Sequence, residues 1–82
     1  MKSVWTLYIL ECADGTLYTG VTNNMEKRLA AHTSGKGAKY TRGRSPLKLV
    51  YRKNFKTRSA AQVAEAKAKN LSRAEKLMLI AN

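Results

Sequence analysis

Two β-type runs on either side of one turn decide most of what this chain can become. Val4 to Cys12 is densely apolar, with β-branched and aromatic members, and Leu17 to Thr22 repeats the type after Asp14-Gly15. Asp-Gly between two such runs predicts an antiparallel hairpin. Side chains alternate along a strand, so Trp5, Leu7 and Ile9 share one face while Thr6, Tyr8 and Leu10 share the other. On the returning strand Leu17 and Val21 share a face, with Tyr18 and Gly20 opposite. If the more apolar sets pack together, Tyr8, Tyr18 and Gly20 lie on one face. A two-residue turn at Asp14-Gly15 would set Tyr8 against Val21 and split the tyrosines. An odd loop or a bulge beside Gly15 is therefore expected, bringing Gly20 opposite Tyr8.

The rest of the chain reads as helices around one further strand. Asn23, with Glu26 in the capping-box position, opens a helix to about Thr33, which Ser34-Gly35 ends. Gly35 to Pro46 is a basic loop. Leu47 to Phe55 alternates Leu47, Leu49, Tyr51 and Phe55 against Lys48, Arg52 and Asn54, with Val50 on the polar side. That pattern predicts a strand with one buried and one wet face. Ser59 with Gln62 opens an alanine-rich helix to about Asn70, and Ser72 with Glu75 opens a last one through Ile80. The order β-β-α-β-α-α predicts an α+β fold, a three-stranded antiparallel sheet flanked by helices. A length of 82 residues suits a single domain, residues 1–82, with a small core.

Charge narrows the partners. Lys and Arg number 16 against five acids, a formal net charge of +11. From Lys27 to Arg58 there is no Asp or Glu. Such self-repulsion is relieved by a polyanion, with DNA or RNA the first candidate. Cys12 has no partner in the chain, so a disulfide framework is excluded and a reducing, cytoplasmic setting is expected. No run approaches a membrane span, and no cleavage site follows the apolar N-terminal stretch. One Cys and one His cannot build a structural zinc site. A Gly-rich loop ending in Lys-Ser or Lys-Thr is absent, so no nucleotide cofactor is expected. A Cys12–His32 nucleophile pair has no third group to orient it.

Thr6-Leu7-Tyr8, Tyr18-Thr19-Gly20, Arg28, His32 and Glu65 occur in that order, with a basic loop Ser34–Gly43 between them. In this order they resemble the GIY-YIG nuclease superfamily, and more closely its small stand-alone single-domain bacterial members. The resemblance covers roughly Trp5 to Ile80. Two positions depart from the motif: its first glycine is Thr6 here, and the middle residue of the second tripeptide is Thr19.

The resemblance implies metal-assisted phosphodiester hydrolysis, by an endonuclease acting on DNA. Tyr8 would activate water and Tyr18 orient the water or phosphate; the two roles are not separable from sequence. A tyrosine of pKa ~10 is a poor base, and a nearby cation and arginine would make its phenolate more accessible. Arg28 and His32 share a helix face at i,i+4 spacing. Arg28 would clamp the phosphate, and His32 would serve as proton donor, shuttle or phosphate contact. Among the acids, Glu26 and Glu75 have capping explanations and Asp14 belongs to the turn, which leaves Glu11 and Glu65. The resemblance selects Glu65 as metal ligand, for Mg²⁺ or alternatively Mn²⁺, with substrate phosphates and waters completing the shell. A surface Glu65–Lys69 pair is the competing account. Lys36, Lys39, Tyr40, Arg42 and Arg44 would track the nucleic-acid backbone, and Arg58 would extend that basic face. The rival reading is a non-catalytic nucleic-acid-binding module of the same fold. An attached specificity domain is not evident, so selection by structure, weak selection or a separate protein partner is expected.

Overall fold

The structure, a computed structural model, describes residues 4–33 and 47–81. The hairpin forms as the sequence demands. Strand β1 (Trp5–Glu11) pairs antiparallel with β2 (Leu17–Thr22), and Tyr8 stands directly opposite Gly20. The connection is odd. Cys12 N–H donates to Thr16 O at 2.8 Å and Gly15 N–H to Cys12 O at 2.9 Å, leaving a three-residue loop of Ala13, Asp14 and Gly15. Gly15 takes the left-handed conformation, φ +85°, that a turn followed by a bulge requires. Asp14 Oδ1 accepts from both the backbone N–H and the hydroxyl of Thr16, at 3.1 and 2.7 Å, which tightens the loop.

Helix α1 (Met25–Thr33) begins one residue later than the sequence reading placed it. Asn24, not Asn23, caps it, its Oδ1 accepting from Lys27 N–H at 3.1 Å. Thr22 Oγ1 accepts from Asn24 N–H and fixes that turn, so Glu26 misses the capping-box position. Helix α2 (Arg58–Lys69) begins earlier than expected. Thr57, in an extended conformation as β3 ends, accepts from Ala60 N–H and does the work assigned to Ser59. Helix α3 (Arg73–Ala81) opens on a complete capping box: Ser72 N–H donates to Glu75 Oε1 at 2.8 Å and Glu75 N–H to Ser72 Oγ at 3.1 Å.

Strand β3 (Lys48–Phe55) pairs antiparallel with the other side of β1, giving the order β2-β1-β3. A bulge interrupts this ladder: Ile9 opposes Tyr51 while Leu10 opposes Leu49, so Val50 is the extra residue. The expected single apolar face is thereby split. Leu49, Arg52 and Asn54 fall on the Tyr8 face, and Tyr51, Lys53 and Phe55 on the Leu7 face. The three-stranded α+β architecture and its element order stand as read from sequence.

The core is the central strand and what lies against it. Leu7, Tyr8, Ile9 and Leu10 are all buried. Ala61 and Ala68 form the buried line of α2, which rests against all three strands. Small side chains there let helix and sheet approach closely, which explains why so alanine-rich a helix packs. Arg73 Nη1 donates to Gly15 O at 2.7 Å and ties α3 to the hairpin loop.

Thr19 is buried, and its hydroxyl finds no hydrogen-bond partner among the described residues. Burying an unpaired hydroxyl costs about 1–3 kcal/mol. Thr19→Val keeps the shape and removes the orphan, so the variant should unfold at higher denaturant concentration by about 1 kcal/mol, read from urea titrations.

Candidate active site

Tyr8 occupies the middle of the middle strand and is fully buried. Its ring lies across Gly20: a Cβ placed there would stand 2.6 Å from Tyr8 Cζ and press on the hydroxyl as well. Glycine at this position is what permits the tyrosine to lie down. Tyr18, two residues before Gly20 and so on the same face, sets its ring 6.3 Å from that of Tyr8. The hairpin register expected from sequence thus brings both tyrosines to one place.

Helix α1 supplies the other two groups from one of its sides. His32 is fully buried, with Nε2 3.0 Å from Tyr8 Oη. Its ring lies 5.9 Å from Tyr8 and 5.2 Å from Tyr18, so three rings enclose the site. Arg28, one turn earlier, donates from Nε to Tyr8 Oη at 3.3 Å. The guanidinium faces both phenols, and those oxygens hold its proton more firmly than usual.

Electrostatics sets the protonation states. Burial pushes the Tyr8 phenol above its ordinary value of 10.0; the Arg28 hydrogen bond opposes this without reversing it. Among the protein's own groups, desolvation outweighs the arginine. Burial, and secondarily the Arg28 charge, pushes His32 below 6.5. At neutral pH the pair is therefore a phenol and a neutral imidazole. Where Nε2 accepts the Tyr8 proton, the ring proton sits on Nδ1. His32 and Tyr8 are both fully buried, and the two rings meet at the Tyr8 hydroxyl.

The His32 shift has a measurable consequence for stability. The native ring binds a proton less readily than the same ring in the unfolded chain, whose ordinary value is 6.5. Above that pH both states are neutral and the group contributes nothing. Below it the unfolded state gains the proton first, so stability falls down to the lowered native pKa. Melting temperatures taken on either side of pH 6.5 should show this loss, and a His32→Gln variant should lack it.

Glu65, on α2, keeps only 25% of its side chain exposed, and Oε2 lies 3.4 Å from Lys69 Nζ. It is also near enough that its charge adds to the upward push on Tyr8. The i,i+4 ion pair with Lys69 forms, and the carboxylate lies within electrostatic reach of Tyr8. No group of three or more His, Cys, Asp or Glu side chains is gathered among the described residues. A lone carboxylate is a hard oxygen donor, of the kind that suits Mg²⁺ or Mn²⁺.

The remaining expectations divide. Lys36, Lys39, Tyr40, Arg42 and Arg44 lie outside the described residues, as does the whole basic loop. Arg58 does not join the tyrosines. It lies over Trp5, 5.5 Å from the ring centre, and Trp5 belongs to the opposite sheet face. Cys12 is a buried free thiol, and His32 Nε2 lies against Tyr8 Oη. Arg52, the direct cross-strand partner of Tyr8, and Asn54, the partner of Thr6, stand on the tyrosine face and were not singled out as site residues. Their alternation with Leu49 and Tyr51 was visible, but the bulge at Val50 that aims them was not.

A buried tyrosine on a glycine, a second tyrosine beside it, and an arginine and histidine from the following helix meet on one face of the sheet. The GIY-YIG catalytic domain matches residues 4–78, and the chain belongs to that family. Its relatives include UPF0213 proteins. That of Natronomonas pharaonis is 54% identical over 76 residues, covering 93% of this chain and 89% of its own. That of Clostridium perfringens is 55% identical over 76 residues, covering 93% and 82%. Two solution NMR structures share the fold: a UPF0213 protein of Bacillus halodurans, 46% identical with TM-score 0.63 over 95% of this chain and 83% of its own, and a protein of E. faecalis, 42% identical with TM-score 0.68 over 96% and 84%. Among the described residues no helix is long and apolar enough to cross a membrane.

Proposed function

We propose that this chain is a divalent-metal-dependent endonuclease that hydrolyses DNA phosphodiester bonds. It would select by structure or only weakly, and would serve DNA repair or processing in the cytoplasm. The observation that carries this reading is the Tyr8 hydroxyl held between His32 Nε2 and Arg28 Nε, at 3.0 and 3.3 Å. Tyr8 is a poor base alone, and the imidazole removes that difficulty. As an attacking water gives a proton to Tyr8 Oη, the tyrosine passes its own to His32, and no free phenolate is needed. Tyr18 lines the same space and orients the water or phosphate. Arg28 turns its remaining N–H donors to the phosphate as charge develops on it.

Glu65 would hold Mg²⁺ or Mn²⁺ there, Lys69 giving way. The ion when bound neutralises phosphate charge, and the substrate's own oxygens and water complete its shell. With one protein carboxylate, affinity for metal without DNA is weak.

The Glu65–Lys69 pair gives the rival reading its footing, since a carboxylate satisfied by lysine needs no metal. End-labelled DNAs, duplex, flapped, nicked and single-stranded, with RNA counterparts, should be incubated with Mg²⁺ or Mn²⁺ and either the native chain or Glu65→Ala. Cleavage by the first, reduced by about 10²-fold or more in the second with binding retained, is the expected result. Salt-sensitive binding without cleavage of any substrate would leave the non-catalytic module. Equal cleavage by both would remove Glu65 from the site.

A further inference from the structure

A cleft of about 610 Å³ opens between α1 and β3, bordered by Thr6, Leu49, Arg52 and Asn54 of the Tyr8 sheet face. Its volume is that of a small-ligand site, about 300–1,000 Å³. Helix α1 serves both places. Arg28 and His32 turn to Tyr8, while Met25 and Leu29 line the cleft.

The lining is specific in kind. Met25, Leu29 and Leu49 offer apolar surface for a flat ring. Thr6 Oγ1 donates to Asn54 Oδ1 at 2.9 Å, which fixes the carboxamide and leaves its N–H₂ as the donating end. Glu26, at the border, adds a carboxylate, an acceptor for the exocyclic amino group of a base. Arg52 is exposed on the strand position next to Tyr8, placed for a phosphate. Thr6, which departs from the motif's glycine, is the residue that orients Asn54. An apolar floor, an oriented amide, a carboxylate and a guanidinium together are the complement of a nucleotide, base and phosphate.

We propose that this cleft receives one unstacked nucleotide of the substrate strand, close to the bond cleaved at Tyr8. The chain then acts on strands that are unpaired or locally opened, since a base inside a duplex cannot enter. This deepens the nuclease reading and rests on it for the word substrate, while the binding step stands apart from cleavage.

Single-stranded DNA oligonucleotides carrying one abasic residue, moved stepwise along the strand, would be titrated by fluorescence anisotropy in EDTA. Cleavage of the same set would be mapped with Mg²⁺. The expected result is an affinity loss of about tenfold when the missing base falls in one window, the size of a lost stacking contact. That window should sit at a fixed distance from the cut. Asn54→Asp keeps the acceptor for Thr6 but loses the donor, and should flatten the window; Met25→Ala should shrink it. A flat scan with the native chain, or an equal window in Asn54→Asp and Met25→Ala, overturns the cleft. Cleavage with a flat scan would overturn it alone. A window in EDTA with no cleavage under any metal would uphold the cleft and overturn the nuclease.

Discussion

Tyr8→Phe should lower DNA cleavage by about a thousandfold and leave DNA affinity nearly unchanged. The substitution keeps the ring on Gly20 and removes one oxygen. That oxygen is what His32 Nε2 and Arg28 Nε both meet, at 3.0 and 3.3 Å. Losing it breaks the proton route at its first step. It also leaves the Nε2 acceptor without the Tyr8 donor, which costs about 1–3 kcal/mol. In a domain of this size that lowers the melting temperature by about 4–8 °C per kcal/mol, so the variant should still be folded in an assay run well below the transition. A thermal scan, an anisotropy titration and single-turnover cleavage on one preparation decide the matter. Cleavage within tenfold of the native rate would mean that water is activated elsewhere.

Gly20→Ala should be the most damaging single methyl in the chain. The added Cβ would stand 2.6 Å from Tyr8 Cζ, and the atoms it meets belong to a fully buried ring with nowhere to retreat. Overpacking of this kind costs about 1–3 kcal/mol, and relief requires the ring to lift. Lifting carries Oη away from Arg28 and His32, so cleavage should fall with stability. Chemical denaturation should show the loss. In a Tyr8→Leu background, where the aromatic ring is gone, the same glycine change should cost measurably less. An equal cost in both backgrounds would place the strain in the strand backbone instead.

Much of this site was legible because strands obey a strict alternation. The positions of Tyr8, Tyr18 and Gly20 followed from side-chain parity and an odd loop, and the register agrees. That Arg28 and His32 share a helix face followed from their spacing, and their choice as site residues from the resemblance to the GIY-YIG superfamily. Cap positions slipped by one or two residues at α1 and α2 because Asn23-Asn24 and Thr57-Ser59 each offer two capping side chains. Which of them caps is settled by the strand before it, a tertiary matter. The two-sidedness of β3 was hidden for the same reason: a bulge is a relation between strands, and Val50 carries no mark of it. The Tyr8 protonation state was hidden too, since burial, which outweighs Arg28 here, is a sum over neighbours that no local motif contains.

The central place of β1 also orders events in time. A chain made from its N-terminus releases the β1–β2 hairpin first, with the two tyrosines already on one face but open to water. The relay needs α1, the other edge of β1 waits for β3, and Glu65 arrives only with α2. The last clasp, Arg73 to the Gly15 carbonyl, spans 58 positions. Distant pairings of this kind form late and slowly. A nascent chain still threaded through the ribosome therefore carries the tyrosines without their helix partners, and the full arrangement forms only when nearly all of it has emerged.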